Sequence, residues 1–196
     1  MKVENYSPPK PPIRSIWLLS DFHNASEARL QAYFDWYMAG IPTRISQLSD
    51  LVRTHQGFQD WSPTFRSPSL NVLGAWVRDN APLARVLNRD GLAALWGGIT
   101  FDIGIYWGEI LRKEFPQLSY WSSRKVIEGH KEMTYGQPVL IGFGHGMVNP
   151  VTIVGNTASQ IADGRHKPSG FHDVYQVWAQ LVRDEFTPSK IHSKFL

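Results

Sequence analysis

GLAALWGGITFDIGIYWGEILRKEF, residues 91–115, is the longest periodic stretch of the chain. Leu92, Leu95, Trp96, Ile99, Ile103, Tyr106 and Ile110 recur at spacings of three and four, which traces one stripe of an α-helix. Asp90 can cap its start, and Pro116 stops it. At 1.5 Å per residue such a helix is roughly 35 Å long, enough to cross a domain. Gly97, Gly98, Gly104 and Gly108 lie inside it, and each costs about 1 kcal/mol of helix propensity relative to alanine. A helix tolerates that cost where another backbone packs close. The stretch therefore predicts a central, buried helix, kinked at Gly97-Gly98.

Upstream, the pattern is helical as well. Prolines 8, 9, 11 and 12 exclude helix and predict an extended arm over residues 1–15. From Ser26 onward, Leu30, Tyr33, Phe34, Tyr37 and Ile41 share one face, and Pro42 is expected to break or kink that helix. A second helix follows, with Ile45, Leu48 and Val52 inward and a stop near Gly57. Residues 58–66 read as irregular. Ser67-Pro68 reads as a cap and first helical position for a helix burying Leu70, Leu73, Trp76 and Val77. Asp79-Asn80-Ala81-Pro82 should interrupt it, with a short turn of helix at 83–87.

Downstream, residues 118–121, part of 124–133 and 138–143 have strand composition and suggest a small antiparallel sheet. Asn149-Pro150 repeats the cap-plus-proline signature, although the β-branched Thr152-Ile153-Val154 leaves a strand reading open. Phe171, Val174, Tyr175, Trp178, Leu181 and Val182 predict a last helix over 169–186, with a tail at 187–196. The expected fold is α+β: a helical N-terminal half, a long central helix, a small antiparallel sheet and C-terminal helices, in one domain spanning 1–196.

Composition narrows the function classes. The chain has 196 residues, 42% hydrophobic and 19% charged, as a folded protein does. It has no cysteine, which excludes disulfides, a thiol nucleophile and thiolate-bound zinc. The apolar run Ile16-Trp17-Leu18-Leu19 is too short for a secretory signal or a membrane span, so a cytoplasmic protein without a membrane partner is expected. Its 20 basic and 17 acidic residues are scattered, with no run of four basic residues, which argues against nucleic acid as a partner.

Few stretches carry chemistry. Gly142-Phe143-Gly144-His145-Gly146 invites a phosphate-loop reading, but lacks the third glycine of the dinucleotide fingerprint and any following lysine; a turn leaving a strand explains it. Glu128, His130 and Glu132 would share one face of a strand, as a metal site or as a solvated edge. His166 and His172 match no zinc spacing, and no metal or cofactor is expected. Asp102, Tyr106 and Glu109 lie on one side of the long helix among apolar neighbours. They must reach solvent or find donors, either as an acid/base pair or as structural groups bonded to backbone or an arginine; the structural role is the expectation. The 13% aromatic content includes eight tryptophans. Trp96, Tyr106 and Trp178 fall on apolar stripes. Trp17, Trp36, Trp61, Trp107 and Trp121 fit them less well, so at least one or two of these five are expected to face a partner.

Two sets of residues carry a resemblance. Tyr33-Phe34-Asp35-Trp36-Tyr37, Ile41-Pro42-Thr43-Arg44-Ile45 and Ser67-Pro68-Ser69-Leu70 resemble the opening of a group of bacterial proteins. The segment from Asp102 to Glu109, with Trp121 and Asn149-Pro150, is similar to a pattern in small bacterial cytoplasmic proteins, some of which look like immunity proteins of polymorphic-toxin systems. The resemblance implies an α+β protein whose partner is a cognate protein toxin, neutralised in the cytoplasm by occlusion, and it brings no catalytic residue with it. Two alternatives stay open: a small hydrolase using Asp102 or Glu109 with His130, His145 or His172, and a small-molecule module built on the glycine turn.

Overall fold

The computed structural model describes residues 6–13, 19–86, 90–144 and 146–185, those at 82–86 and 90–94 by backbone alone. Trp17, His145 and the expected tail at 187–196 lie outside the described residues. The fold is α+β. In chain order it has helices α1 (Leu19–His23), α2 (Glu27–Arg53), α3 (Ser69–Val86) and α4 (Asp90–Glu114). Strands β1 (Ser119–Ser122), β2 (Val126–Ile127), β3 (His130–Lys131), β4 (Pro138–Phe143) and β5 (Gly146–Val148) follow, then helices α5 (Pro150–Ala162) and α6 (Gly170–Glu185).

The central helix α4 occupies the span its periodicity predicts, but it is buried all round. Every residue from Gly98 to Leu111 is enclosed, including Phe101, Ile105 and Trp107, which lie off the expected stripe. α2, α3, α5 and α6 all pack against it. The close backbone is that of α5: a Cβ placed on Gly104 would lie 2.7 Å from Val151 Cα. Asn149 caps α5, its side chain accepting from Thr152 N–H at 3.1 Å, and Pro150 sits in the first turn. The β-branched run after it is helical because Val151, Val154 and Ala158 bury against the core.

Two expected breaks are absent. α2 runs through Pro42 as one helix of 27 residues. The proline costs about 3 kcal/mol. The buried Ile41, Ile45 and Leu48 flanking it contribute roughly 1.5–3 kcal/mol each, so packing wins. α3 likewise continues past Asp79-Asn80-Ala81-Pro82 to Val86, and Asn80 turns its amide inward to donate to Trp76 O at 2.9 Å. It begins at Ser69, two residues after the expected cap at Ser67.

The sheet is antiparallel, in the order β1-β4-β5. Trp121 stands opposite Val139, and Leu140 opposite Val148. β2 and β3 form a separate hairpin whose turn, Glu128-Gly129, has φ of 50° and 79°. Such a turn needs left-handed backbone at both positions, which glycine accepts freely. A satellite core of Ile13, Phe22, Leu30, Tyr33 and Tyr135 fastens the arm and α1 to the start of α2 and the segment before β4. The arm is thus docked: Tyr6 and Ile13 are both buried. No helix among the described residues is long and apolar enough to cross a membrane.

Candidate functional site

Asp102 and Glu109 of α4 are held by partners of their own. Asp102 is wholly enclosed, and Arg44 of α2 grips it with Nε donating to Oδ1 at 2.6 Å and Nη2 to Oδ2 at 2.5 Å. Tyr6 of the arm donates its hydroxyl to Oδ2 at 2.6 Å and accepts from Arg44 Nη2 at 2.9 Å. The other guanidinium nitrogen donates to Ser7 O at 2.8 Å and Gln47 Oε1 at 2.7 Å. Tyr106 shares a 2.7 Å hydrogen bond with Ser69 Oγ and accepts from Phe65 N–H at 3.2 Å. Glu109, also buried, receives both Nε and Nη2 of Arg112, at 2.9 and 2.8 Å. Asp102 ties α4 to α2 and the arm, Tyr106 ties it to the segment 65–69, Glu109 pairs within α4 itself, and no histidine is among these partners.

Burial pushes the Asp102 carboxyl up from 3.8 to about 6, although Arg44 and Tyr6 both pull it down. Because the folded value lies above the unfolded one, this group's contribution to stability is greatest below pH 4 and declines as pH rises toward 6. The stability difference between the parent chain and Asp102→Asn should therefore shrink with rising pH across that window. Urea denaturation of both proteins at pH 4.5, 5.5 and 7 measures it; a difference that grows with pH contradicts the assignment.

The remaining motifs disperse. Glu128 occupies the turn of the β2–β3 hairpin, so Glu128, His130 and Glu132 share no strand face, and Glu132 pairs with Lys125 at 3.1 Å. His23 Nε2 lies 3.0 Å from Glu132 O, and His172 Nε2 lies 3.1 Å from Gln176 Nε2. Among the described residues no group of three or more histidines and carboxylates converges as a metal site. The glycine turn joins β4 to β5, and the Glu185 carboxylate lies against Gly144. A carboxylate there repels the anion that a phosphate loop would attract.

Two of the tryptophans expected to face a partner are core. Trp107 is fully enclosed and donates its indole N–H to Phe171 O at 3.0 Å. Trp61 is buried edge-on against Tyr106 and donates to Ser69 O at 3.4 Å. Trp107 fell off the stripe because α4 is enclosed all round, and Trp61 because it lies in the irregular segment before α3. Trp36 is half-buried between Tyr33 and Phe101. Trp121 is 40% exposed.

Trp121 has apolar company. Among the described residues, five of the eight exposed large apolar side chains lie in α1 or in the 119–133 stretch: Leu19, Trp121, Val126, Ile127 and Met133. These segments adjoin one another and hold the exposed apolar side chains in one region, the apolar end. Arg124 pairs with Glu27 at 2.7 Å, Tyr135 donates to Glu27 at 3.0 Å, and Lys131 donates to His23 O at 2.5 Å. Such a concentration marks a contact surface more often than scattered single residues do.

Beside this end opens a cleft of about 510 Å³. Trp96, Gly97 and Thr100 of α4 form one wall, and Thr152, Asn156 and Ser159 of α5 the other. Thr134 and Gln137 close it from behind, while Leu19 and Met133 stand at its lip. The described lining holds no titratable side chain. Trp96, expected in the core, is half-exposed here. The sequence hinted at the cleft only through small and neutral residues one turn apart on α5. Comparison of the chain with protein-family models, with curated proteins and with solved structures found no match.

Proposed function

We propose that the chain is a protein-binding inhibitor, an immunity protein that neutralises a cytoplasm-acting toxin by covering it with the end of the molecule that carries Trp121, Val126 and Ile127. The observation that carries the reading is that concentration of exposed apolar side chains on adjoining segments. Aromatic and aliphatic anchors inside a rim of charged residues, here Glu27, Arg124 and Lys131, are the makeup of a recognition surface. The resemblance to immunity proteins supplies the kind of partner. The hydrolase alternative loses its residues, since Asp102 and Glu109 are saturated by arginines.

The test is co-expression with the toxin encoded beside the chain's gene. The parent chain should restore growth and co-elute with the toxin. Trp121→Ala and Ile127→Asp should each weaken the complex by about 2 kcal/mol, roughly 30-fold in Kd by calorimetry, with unchanged melting temperature. Val177→Asp, on the exposed face of α6, should bind as the parent does. Failure of protection, or equal affinity in all three variants, would overturn the proposal.

A further inference from the structure

The cleft between α4 and α5 combines apolar side chains, Leu19, Trp96, Met133 and Val151, with neutral polar ones. Its walls carry hydroxyls and amides from Thr100, Thr134, Gln137, Thr152, Asn156 and Ser159, together with the Trp96 indole. A cation or anion entering it would meet no countercharge from the described lining, and stripping water from an unpaired charge is costly. A wholly apolar ligand would desolvate those hydroxyls and amides without replacing their hydrogen bonds. The polar groups divide into two sets. Thr100 and Ser159 donate to carbonyls of their own helices, Gly97 O at 3.0 Å and Gly155 O at 3.1 Å, and Gln137 bridges Met133 O and Asn149. The Thr152 hydroxyl and the Asn156 amide, one helical turn apart, make no side-chain hydrogen bond within the described protein. They supply donors and acceptors across from an aromatic wall. The volume suits a ligand of one to three rings.

We infer that this cleft binds a neutral saccharide, with Thr152 and Asn156 hydrogen-bonding its hydroxyls and Trp96 packing on its C–H surface. A pyranose is the ligand class that matches all three features: no charge, hydroxyls around its edge that both donate and accept, and an apolar face suited to an indole. The site borders the proposed inhibitor surface, with Leu19 and Met133 common to both, and its ligand does not depend on that reading.

Saturation-transfer NMR with the full chain tests it against a panel of neutral sugars: glucose, galactose, mannose, N-acetylglucosamine, maltose, cellobiose and trehalose. Glucuronate and glucosamine serve as charged counterparts, and a soluble dextran distinguishes a free sugar from the terminal unit of a polymer. At least one neutral member should bind, with the charged members weaker. Asn156→Ala should weaken that binding about ten-fold. Asn156→Trp, a bulky change at an exposed position, should abolish it by filling the cleft, and Val177→Ala should leave it unchanged. Silence across the neutral panel, or binding that survives Asn156→Trp in a folded protein, overturns the assignment.

Discussion

Asp102→Ala should cost the fold about 3–5 kcal/mol, the range for removing one partner of a buried ion pair. The carboxylate accepts three hydrogen bonds from Arg44 and Tyr6, and it is the acidic group that neutralises a guanidinium nearly withdrawn from water. With alanine there, Arg44 keeps its charge and loses its counterion, while Tyr6 loses the acceptor that holds the arm against α4. The double substitution Arg44→Met with Asp102→Leu separates charge from packing: it should be more stable than Asp102→Ala alone, because nothing charged is left enclosed. Urea denaturation at pH 7 of the parent, single and double variants measures both effects. A single variant that loses less than 1 kcal/mol would mean that the network is ornamental.

Gly74→Ala should be nearly as damaging for a different reason. A Cβ at Gly74 of α3 would lie 1.7 Å from the carbonyl oxygen of Pro168, a backbone atom in the segment leading into α6. No rotamer change relieves that clash, so α3 and the segment before α6 must separate. The expected loss is about 3 kcal/mol, the upper part of the range for overpacking. Gly40→Ala in α2 is the matched control. Its Cβ would meet nothing nearer than Arg44 Cγ at 3.8 Å, and the helix should gain up to about 1 kcal/mol. Thermal and urea unfolding of the two variants should move in opposite directions.

What was legible in the sequence follows from where the forces are local. α4 was placed within a residue at either end because Asp90 and Pro116 punctuate a long apolar period. The cap at Asn149 and the stripe of α6 were similarly plain. Pro42 misled because a local propensity cost was overruled by burial on both sides of it, and burial is a property of the assembled fold. Trp107 misled for the same reason: a helix surrounded on all sides has no outward face, so falling off its stripe does not mean exposure. Trp61 misled because it lies between helices, where there is no stripe to read. β5 is only three residues long and gave too little period to read. The site was less legible than the fold. The cleft draws its walls from α4, α5 and the 133–137 segment, and neutral polar residues carry no motif that announces them. The apolar end was visible in part through Trp121, but Val126 and Ile127 look like any buried strand until the hairpin is seen standing apart from the sheet.

The clasp around Asp102 also sets an order of events during synthesis. Tyr6 precedes Asp102 by 96 residues and Arg44 precedes it by 58. A ribosome making this chain releases both donors long before their common acceptor exists. Until then the guanidinium stays hydrated and Tyr6 lacks its carboxylate acceptor. The leading helices therefore cannot close as a finished nascent unit, and their final seating awaits the emergence of α4.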